Sequence, residues 1–407
     1  MSLRPATETA VADVVLAFNA GSTSLRFAAY DIDEARDPCP RIVGSVEAIQ
    51  GAARFNARDG AGRVIANRGW AGGHPIVHDE ACRLVVEWLQ ACLEGSKIVA
   101  VGHRMMLGAA PHVWAMHIDA QALDTLAAQS TIEPSHQPFS VQSARVVGAL
   151  LPDAAQVACF DSAFHQTMPE AARAYALPKA VRDAGIHHRG YHGLSYEYIS
   201  ERMRSLAPQA RRVVVAHLGG GSSLCAMLDG RSVETTMGVS PLSGLPMATR
   251  SGDIPPEALL FLLKSGRFDV ASLESMLYER SGLLGLSGIS GDMRVLQDSQ
   301  EHGAIDAMTH FVHALTKSVG AYAAVLGGID ALVFTGGVGE HSHQVRSGLC
   351  RNLASLGIVL DECANRAHSA EISGAGGRVA VHVIPTNEEL VIARHTLALL
   401  DVATLAR

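Results

Sequence analysis

The chain has 407 residues, 48% of them apolar, 5% aromatic and 18% charged, with a formal net charge of −7. At roughly 100–200 residues per domain this length implies two domains, with ample small aliphatic side chains for their cores. The acidic balance argues against a nucleic-acid binder, no window approaches the ~18 continuous apolar residues of a membrane span, and seven scattered cysteines without a C-x-x-C pair indicate neither a disulfide framework nor a structural zinc site. An anionic substrate stays open, because local arginines matter more than net charge. The opening stretch MSLRPATETAVAD lacks the apolar core of a signal peptide. The chain reads as a soluble cytoplasmic protein with no nucleic-acid or membrane partner.

Taken in order, the first predicted element is a β-hairpin. Apolar runs over 14–18 and 25–30 flank a turn of small and hydroxyl residues, Asn19 to Ser24, and Arg26 is a lone cation in the second run. Helices are expected over 79–93 and 141–150, an apolar strand ends at Asp161, and further helices follow over 196–206 and 256–264. The stretch VVVAHLGGGSSLCAMLDG, from 213 to 230, repeats the first hairpin. Val14-Val15-Leu16-Ala17 aligns with Val213-Val214-Val215-Ala216, and Ser24-Leu25 aligns with Ser223-Leu224 at the same offset. A strand–turn–strand unit used twice implies an internal duplication, with a boundary near 155–165. A long apolar helix over 305–326 precedes a strand over 331–334 and a turn carrying Gly336, Gly337 and Gly339. A helix over 343–356 closes at Gly357. A strand over 379–384 ends at Pro385, and Thr386 with Glu389 three residues on is the pattern of a capping box opening a last helix. That gives Glu389 a structural task and leaves Glu388 free. Strands and helices mix throughout, so the class is α/β.

Glycine-rich turns after strands let backbone N–H groups approach phosphate oxygens. Three such turns, at Gly21, Gly219–Gly221 and Gly336–Gly339, fit two phosphate clamps and a nucleoside shelf. There is no G-x-x-x-x-G-K-(S/T), and no G-x-G-x-x-G opens a helix after the first strand, so neither a P-loop nor a dinucleotide fold is indicated. Arg104 and Arg250 stand beside glycines and apolar residues. Each is either a solvated loop charge or a planar donor fork for carboxylate or phosphate. Asp161 is either a ligand-facing acid at a strand end or a helix N-cap. His192, between Tyr191 and Gly193, either donates to an oxyanion or bonds its own turn.

Together these stretches resemble the acetate kinase family, within the acetate and sugar kinase/heat-shock/actin superfamily. The family's first motif, Asn-(Ser/Ala)-Gly-Ser-(Ser/Thr)-Ser-x-(Lys/Arg), is matched by Asn19 to Arg26. The match continues through VGHRMM, FDSAFHQTMP, YHGLS, HLGGGSS, MGVSPLSGLPMATRSGDI, SGLLGLSGISGDMR, FTGGVGE and IPTNEELVIAR, in the family's order, from residue 14 to residue 394. The resemblance implies reversible ATP-dependent phosphorylation of acetate to acetyl phosphate, with Mg²⁺ (or Mn²⁺) and a homodimer. The implied fold is a pair of duplicated actin-like (ribonuclease H-like) domains facing each other across a cleft. Residues 1–160 with 389–407 would form the acyl and phosphate side, and 161–388 the nucleotide-binding domain.

Carried over position by position, Arg104 and Arg250 resemble the arginines for the acyl carboxylate and the phosphoryl group. His192 resembles the transition-state histidine, and Asp161 the acid that orients the site. Asn19 and Glu388 resemble the metal-side pair. Ser22, Ser24 and Arg26 match the first phosphate turn. His217, Leu218, Gly219, Gly220 and Gly221 match the second. Asp292, Met293 and Arg294, with Gly337, Val338, Gly339, Glu340 and His341, match the segments around the nucleoside. Met106, Ser135, Tyr191 and Pro241 fall on the acyl pocket.

The chemistry suits this set. A carboxylate of pKa ~4–5 is ionised at neutral pH, so no general base is needed. The obstacle is repulsion between an anion and a polyphosphate, which guanidiniums, a donor histidine and Mg²⁺ lower. Direct in-line transfer without a phospho-enzyme is the expected course. The sequence departs from the family at Arg26 (usually lysine), Leu107 and Tyr196 (usually histidines), and Gly220 and His341 (usually asparagines). The last two bear on nucleotide preference. One methylene is worth only ~1–3 kcal/mol in an apolar pocket, so a propionate or other short-acid kinase is the alternative. A catalytically inactive nucleotide-binding regulator on the same fold is the alternative of another class. A sugar kinase would need a general base, for which Asp161 could serve, but paired arginines suit a carboxylate better.

Overall fold

The structure, a computed structural model, describes residues 13–32, 38–70, 75–108 and 113–405. The chain forms two compact units, Met1–Ala163 with Asn387–Arg407, and Phe164–Thr386.

In the first unit, β1 (Asp13–Ala20) and β2 (Ser24–Ile32) form the expected antiparallel hairpin, with Asn19 opposite Arg26. β3 (Pro38–Glu47), β4 (Arg54–Asp59) and β5 (Val64–Gly69) continue from β2 as an antiparallel meander. On the other side of β1 lie β6 (Lys97–Met105), the short β7 (Ala115–His117) and β8 (Ala155–Phe160). β6 is parallel to β1, β8 is parallel to β6, and the eight-stranded order is β5-β4-β3-β2-β1-β6-β8-β7.

The second unit holds β9 (Arg212–Leu218), β10 (Ser222–Leu228), β11 (Arg231–Thr235), β12 (Ala331–Thr335) and β13 (Ala380–Val383), in the order β11-β10-β9-β12-β13. Strand for strand this repeats β3-β2-β1-β6-β8, including two antiparallel and two parallel pairings. The duplication read from two hairpins is therefore a duplication of a whole five-stranded core, and the class is α/β.

Alternation along the strands builds the cores. Leu16, Phe18, Leu25 and Phe27 pack with Val85 and Leu89 of helix His78–Cys92 and Val147 of helix Gln137–Leu150. The last helix, Glu388–Leu405, packs on β1, β6 and β8. Gly102 of β6 permits this close approach, since a Cβ there would collide with Thr396 Oγ1 and Ile392. In the second unit, Val214, Ala216 and Leu218 face helix His302–Leu326, while Val213 and Val215 face helix Gly193–Leu206.

Three expectations need revision. The segment read as a glycine turn at 336–339 is a short helix, Gly336–His341, directly after β12. The helix expected over 343–356 is helix His343–Asn352 followed by a separate 3-10 turn, Ala354–Leu356, ending at Gly357 with φ +87°. The capping box at Thr386 does not form. Asn387 Oδ1 accepts from the Leu390 N–H at 3.0 Å, while Thr386 Oγ1 is buried without a partner. The helix begins at Glu388, so the cap position falls on Asn387, which caps at least as well as threonine. Among the described residues no helix is long and apolar enough to cross a membrane.

Candidate active site

In the first unit, Asn19, Arg104 and Asp161 stand at or just past the carboxyl ends of β1, β6 and β8, and Glu388 begins the last helix. Strand ends of this kind are where ligand-facing groups collect in open α/β sheets. Arg104 Nη2 donates to Asp161 Oδ2 at 2.8 Å, and Nη1 donates to Asn19 Oδ1 at 3.1 Å. Asn19 Nδ2 in turn donates to Glu388 Oε2 at 2.7 Å and Glu389 Oε1 at 3.3 Å. Asp161 is fully buried and pairs with Arg104. Burial opposes charge on Arg104, but Asp161, Glu388 and Glu133 outweigh it and hold the guanidinium pKa above its usual value. Its Nε is buried without a hydrogen-bond partner.

The two glutamates do not divide as expected. Both carboxylates face Asn19, so Glu389 is part of the cluster. Burial, with Glu388 beside it, pushes the Glu389 carboxyl above its usual range, and Arg26 and Asn19 counter this only partly. Oxygen donors of this kind fit a hard divalent cation. Among the described residues no three acid, histidine or cysteine side chains form a metal cage.

The turn at Gly21 closes by its N–H donating to the Ser24 carbonyl at 2.8 Å, and His78 Nε2 contacts the Ser22 carbonyl at 2.9 Å. Arg26 is exposed despite its apolar neighbours and lines a groove of about 260 Å³ with Glu389 and Asn387. Met106 is buried, and its N–H donates to Gln137 Oε1 at 3.0 Å. Ser135 is bonded to Glu133 and lies 2.8 Å from His136 Nδ1. Burial disfavours charge on Glu133, but His136, Ser135 and the Gln137 N–H outweigh it and bring the carboxyl down to about 2. Leu107 is also buried and donates its N–H to Gln137 at 3.2 Å. The Glu133–Gln137 brace escaped sequence reasoning. Its signal was an acid four residues ahead of a Gln-Pro helix start.

In the second unit, His192 occupies the left-handed region, φ +60° and ψ +25°, at the start of helix Gly193–Leu206. Such a conformation costs a non-glycine residue about 1–3 kcal/mol and is found preferentially at functional sites. His165 braces the preceding residue, with Nε2 2.9 Å from the Tyr191 carbonyl and Nδ1 2.8 Å from Ser232 Oγ. The His192 ring stacks on His217 at 4.1 Å between centroids. Its Nδ1 lies 2.8 Å from Ser223 Oγ, and Tyr196 OH lies 2.5 Å from the same oxygen. A Cβ on Gly221 would lie 3.4 Å from His192 Nε2 and 3.8 Å from Arg250 Nη1, so an imidazole and a guanidinium converge over that glycine. Arg250 Nη1 also donates to the Pro241 carbonyl at 3.1 Å, and the buried Tyr191 donates its hydroxyl to Val239 at 2.7 Å.

A cavity of about 550 Å³ opens beside this turn. Gly219 and Gly220 of the second glycine turn line it together with Asp292, Met293, Arg294, Gly337, Val338 and His341. Leu283 and Phe311 add apolar walls, and Gln297, Ser342 and Thr249 add polar groups, none of which the sequence singled out. Leu218 does not face it, because strand alternation sends its side chain into the core. Gly339 and Glu340 take a supporting part, since their carbonyls accept from Arg346 Nη1 at 2.7 and 2.8 Å.

Comparison with known proteins agrees with this geometry. The model of the acetokinase family matches residues 14–394. A protein of Rhizobium meliloti named acetate kinase is 43% identical over 395 residues, covering 96% of this chain and 99% of its own. One of Rhodopseudomonas palustris with the same name is 40% identical over 401 residues, covering 96% and 99%. Among solved structures, a propionate kinase from Francisella tularensis superposes with TM-score 0.85 at 32% identity, covering 95% of this chain and 99% of that one. The acetate kinase of Porphyromonas gingivalis gives 0.80 at 32%, covering 96% and 100%. With a family match that spans both units and a relative 43% identical over nearly the whole chain, the chain belongs to the acetokinase family.

Proposed function

We propose that this protein is an acetate kinase, transferring the γ-phosphoryl group of ATP to acetate and back. The observation that carries this is Arg104, a buried guanidinium fixed at a strand end by Asp161 and Asn19, with its Nε left over as a donor. A carboxylate substrate arrives ionised and needs a fixed cation rather than a base. Arg104 is assigned to the acyl carboxylate, and Met106, Ser135, Tyr191 and Pro241 to the short acyl chain. Arg250 and His192 are assigned to the phosphoryl group, where donors aimed at developing charge lower the barrier. The glycine turn 219–221 receives the phosphates, and the cavity lined by Met293, Val338 and Phe311 receives the nucleoside. Asn19 and Glu388, joined by Glu389, are the residues to hold Mg²⁺, which when bound neutralises phosphate charge. Transfer is in line and direct, with no phospho-enzyme.

An acyl-hydroxamate assay with acetate, propionate and butyrate against ATP, GTP and pyrophosphate tests the reading. Acetate with ATP is expected to give the highest kcat/KM, and absence of turnover with any acid would sink it in favour of a nucleotide-binding regulator. A propionate kinase is the second reading, favoured by the likeness to the Francisella propionate kinase. We place the enzyme in the cytoplasm as a homodimer. Helix Pro256–Lys264 supports the dimer, since it has no buried residue and exposes Leu260 and Phe261, at 53% and 69%.

A further inference from the structure

We propose that Tyr196 is a positioning residue that sets the proton on His192, acting through Ser223. The proposal rests on the reading of His192 as a donor to the phosphoryl group. Tyr196 OH, Ser223 Oγ and His192 Nδ1 form a chain with steps of 2.5 and 2.8 Å, and Tyr196 and Ser223 are fully buried. Phenol, with a pKa near ~10, is a far stronger acid than an aliphatic hydroxyl, so Tyr196 is the donor of its pair and occupies one lone pair of Ser223. The single Ser223 proton then points at His192 Nδ1, which accepts it. An imidazole whose Nδ1 accepts must carry its proton on Nε2 to donate elsewhere.

Nε2 is the atom that approaches Gly221, on the same side as Arg250 Nη1. A neutral Nε2–H tautomer presents a donor there without adding a second positive charge beside the guanidinium. The charged and titratable groups facing the ring agree with a neutral state. Arg250 comes from the loop after β11, and His217 from β9 stacks on the ring with its own Nδ1 2.8 Å from Ser195 Oγ. A cation at His192 would face both. Tyr196 therefore does from two bonds away what a carboxylate does elsewhere, but without stabilising the imidazolium.

The test uses the full-length protein with ¹⁵N-labelled histidine, His192 being assigned from the spectrum of His192→Gln. At about pH 8 the His192 Nδ1 is expected to show the shift of an unprotonated nitrogen and Nε2 that of a protonated one. Tyr196→Phe keeps the buried ring and removes only the hydroxyl. It should mix the two tautomers and lower kcat roughly 10-fold at about pH 8 with KM for acetate unchanged. The deficit should shrink as the pH is lowered, because imidazolium carries a proton on both nitrogens and no longer has two tautomers. A protonated Nδ1 in the unsubstituted protein at pH 8 overturns the proposal, as does a deficit in Tyr196→Phe that is independent of pH. The spectrum reads the tautomer whether or not Tyr196→Phe folds and whether or not acetate turns over. An accepting Nδ1 without acetate turnover would thus remove the kinase reading and leave the assigned tautomer standing.

Discussion

Arg104 and Arg250 look alike in sequence, and each is held by contacts of its own. Arg104 is locked to a fully buried Asp161, so removing it strands a carboxylate. Breaking such a pair costs about 3–5 kcal/mol, and Arg104→Ala is expected to lower Tm as well as activity. Arg250 donates to the Pro241 carbonyl and contacts Met247 Sδ. Arg250→Ala is expected to lower kcat by roughly 10²–10³, the cost of one transition-state donor. Near-normal turnover would take Arg250 out of the chemistry. Glu133 yields a pH prediction. Its folded pKa, about 2, lies below the unfolded 4.5, so its contribution is fully present above 4.5 and is lost as pH falls toward 2. The shift corresponds to about 3 kcal/mol. The Tm gap between the native chain and Glu133→Gln should therefore be wide at pH 6 and close by about pH 2–3. Asn19, Arg104 and Asp161 were legible as one group because strand-end residues need only the strand to be found. Ser223 was not, because its partners His192 and Tyr196 lie across the fold rather than along the chain, and Glu133 was not, because the polar turn to Ser135, His136 and Gln137 carries no apolar period.

Elements with a strong period or a hard stop were readable. Helix Pro256–Lys264 and the two hairpins fall where the sequence puts them, and Gly357 ends its segment. Helix starts were less readable, because polar first turns carry no apolar period. Helix Gln137–Leu150 begins four residues earlier than its apolar run, on the Glu133 brace, and Gly193–Leu206 begins at the strained His192. The solvent-facing Leu260 and Phe261 give the prediction proper to this scale. Leu260→Glu with Phe261→Glu should convert a dimer to a monomer in sedimentation velocity while leaving far-UV circular dichroism unchanged. An unshifted dimer would place the interface elsewhere.

Across the whole molecule, the duplication was visible from six aligned apolar and hydroxyl positions, while its extent was not. β11 and β13 are short and share no motif with β3 and β8, so only backbone pairing reveals the five-strand correspondence. The two copies have diverged in what they carry: carboxylates with Arg104 in one, glycine turns with a large cavity in the other. A non-hydrolysable ATP analogue at 100 times its Kd should stabilise the fold by about 2.7 kcal/mol. In hydrogen exchange, protection should concentrate in 219–221, 292–294 and 336–341. Protection confined to the first unit would reverse the assignment of the cavity.

The last helix returns to the first unit after the whole second unit has been threaded. During synthesis the second unit is a continuous stretch that can fold as it emerges, whereas β6 waits for Ile392 and Thr396 to cover Gly102. Glu388 and Glu389 arrive with that same helix. Completion of the first sheet and delivery of its two acids are thus a single late event. A nascent or prematurely ended chain can hold the finished cavity of the second unit long before the first unit has its two carboxylates.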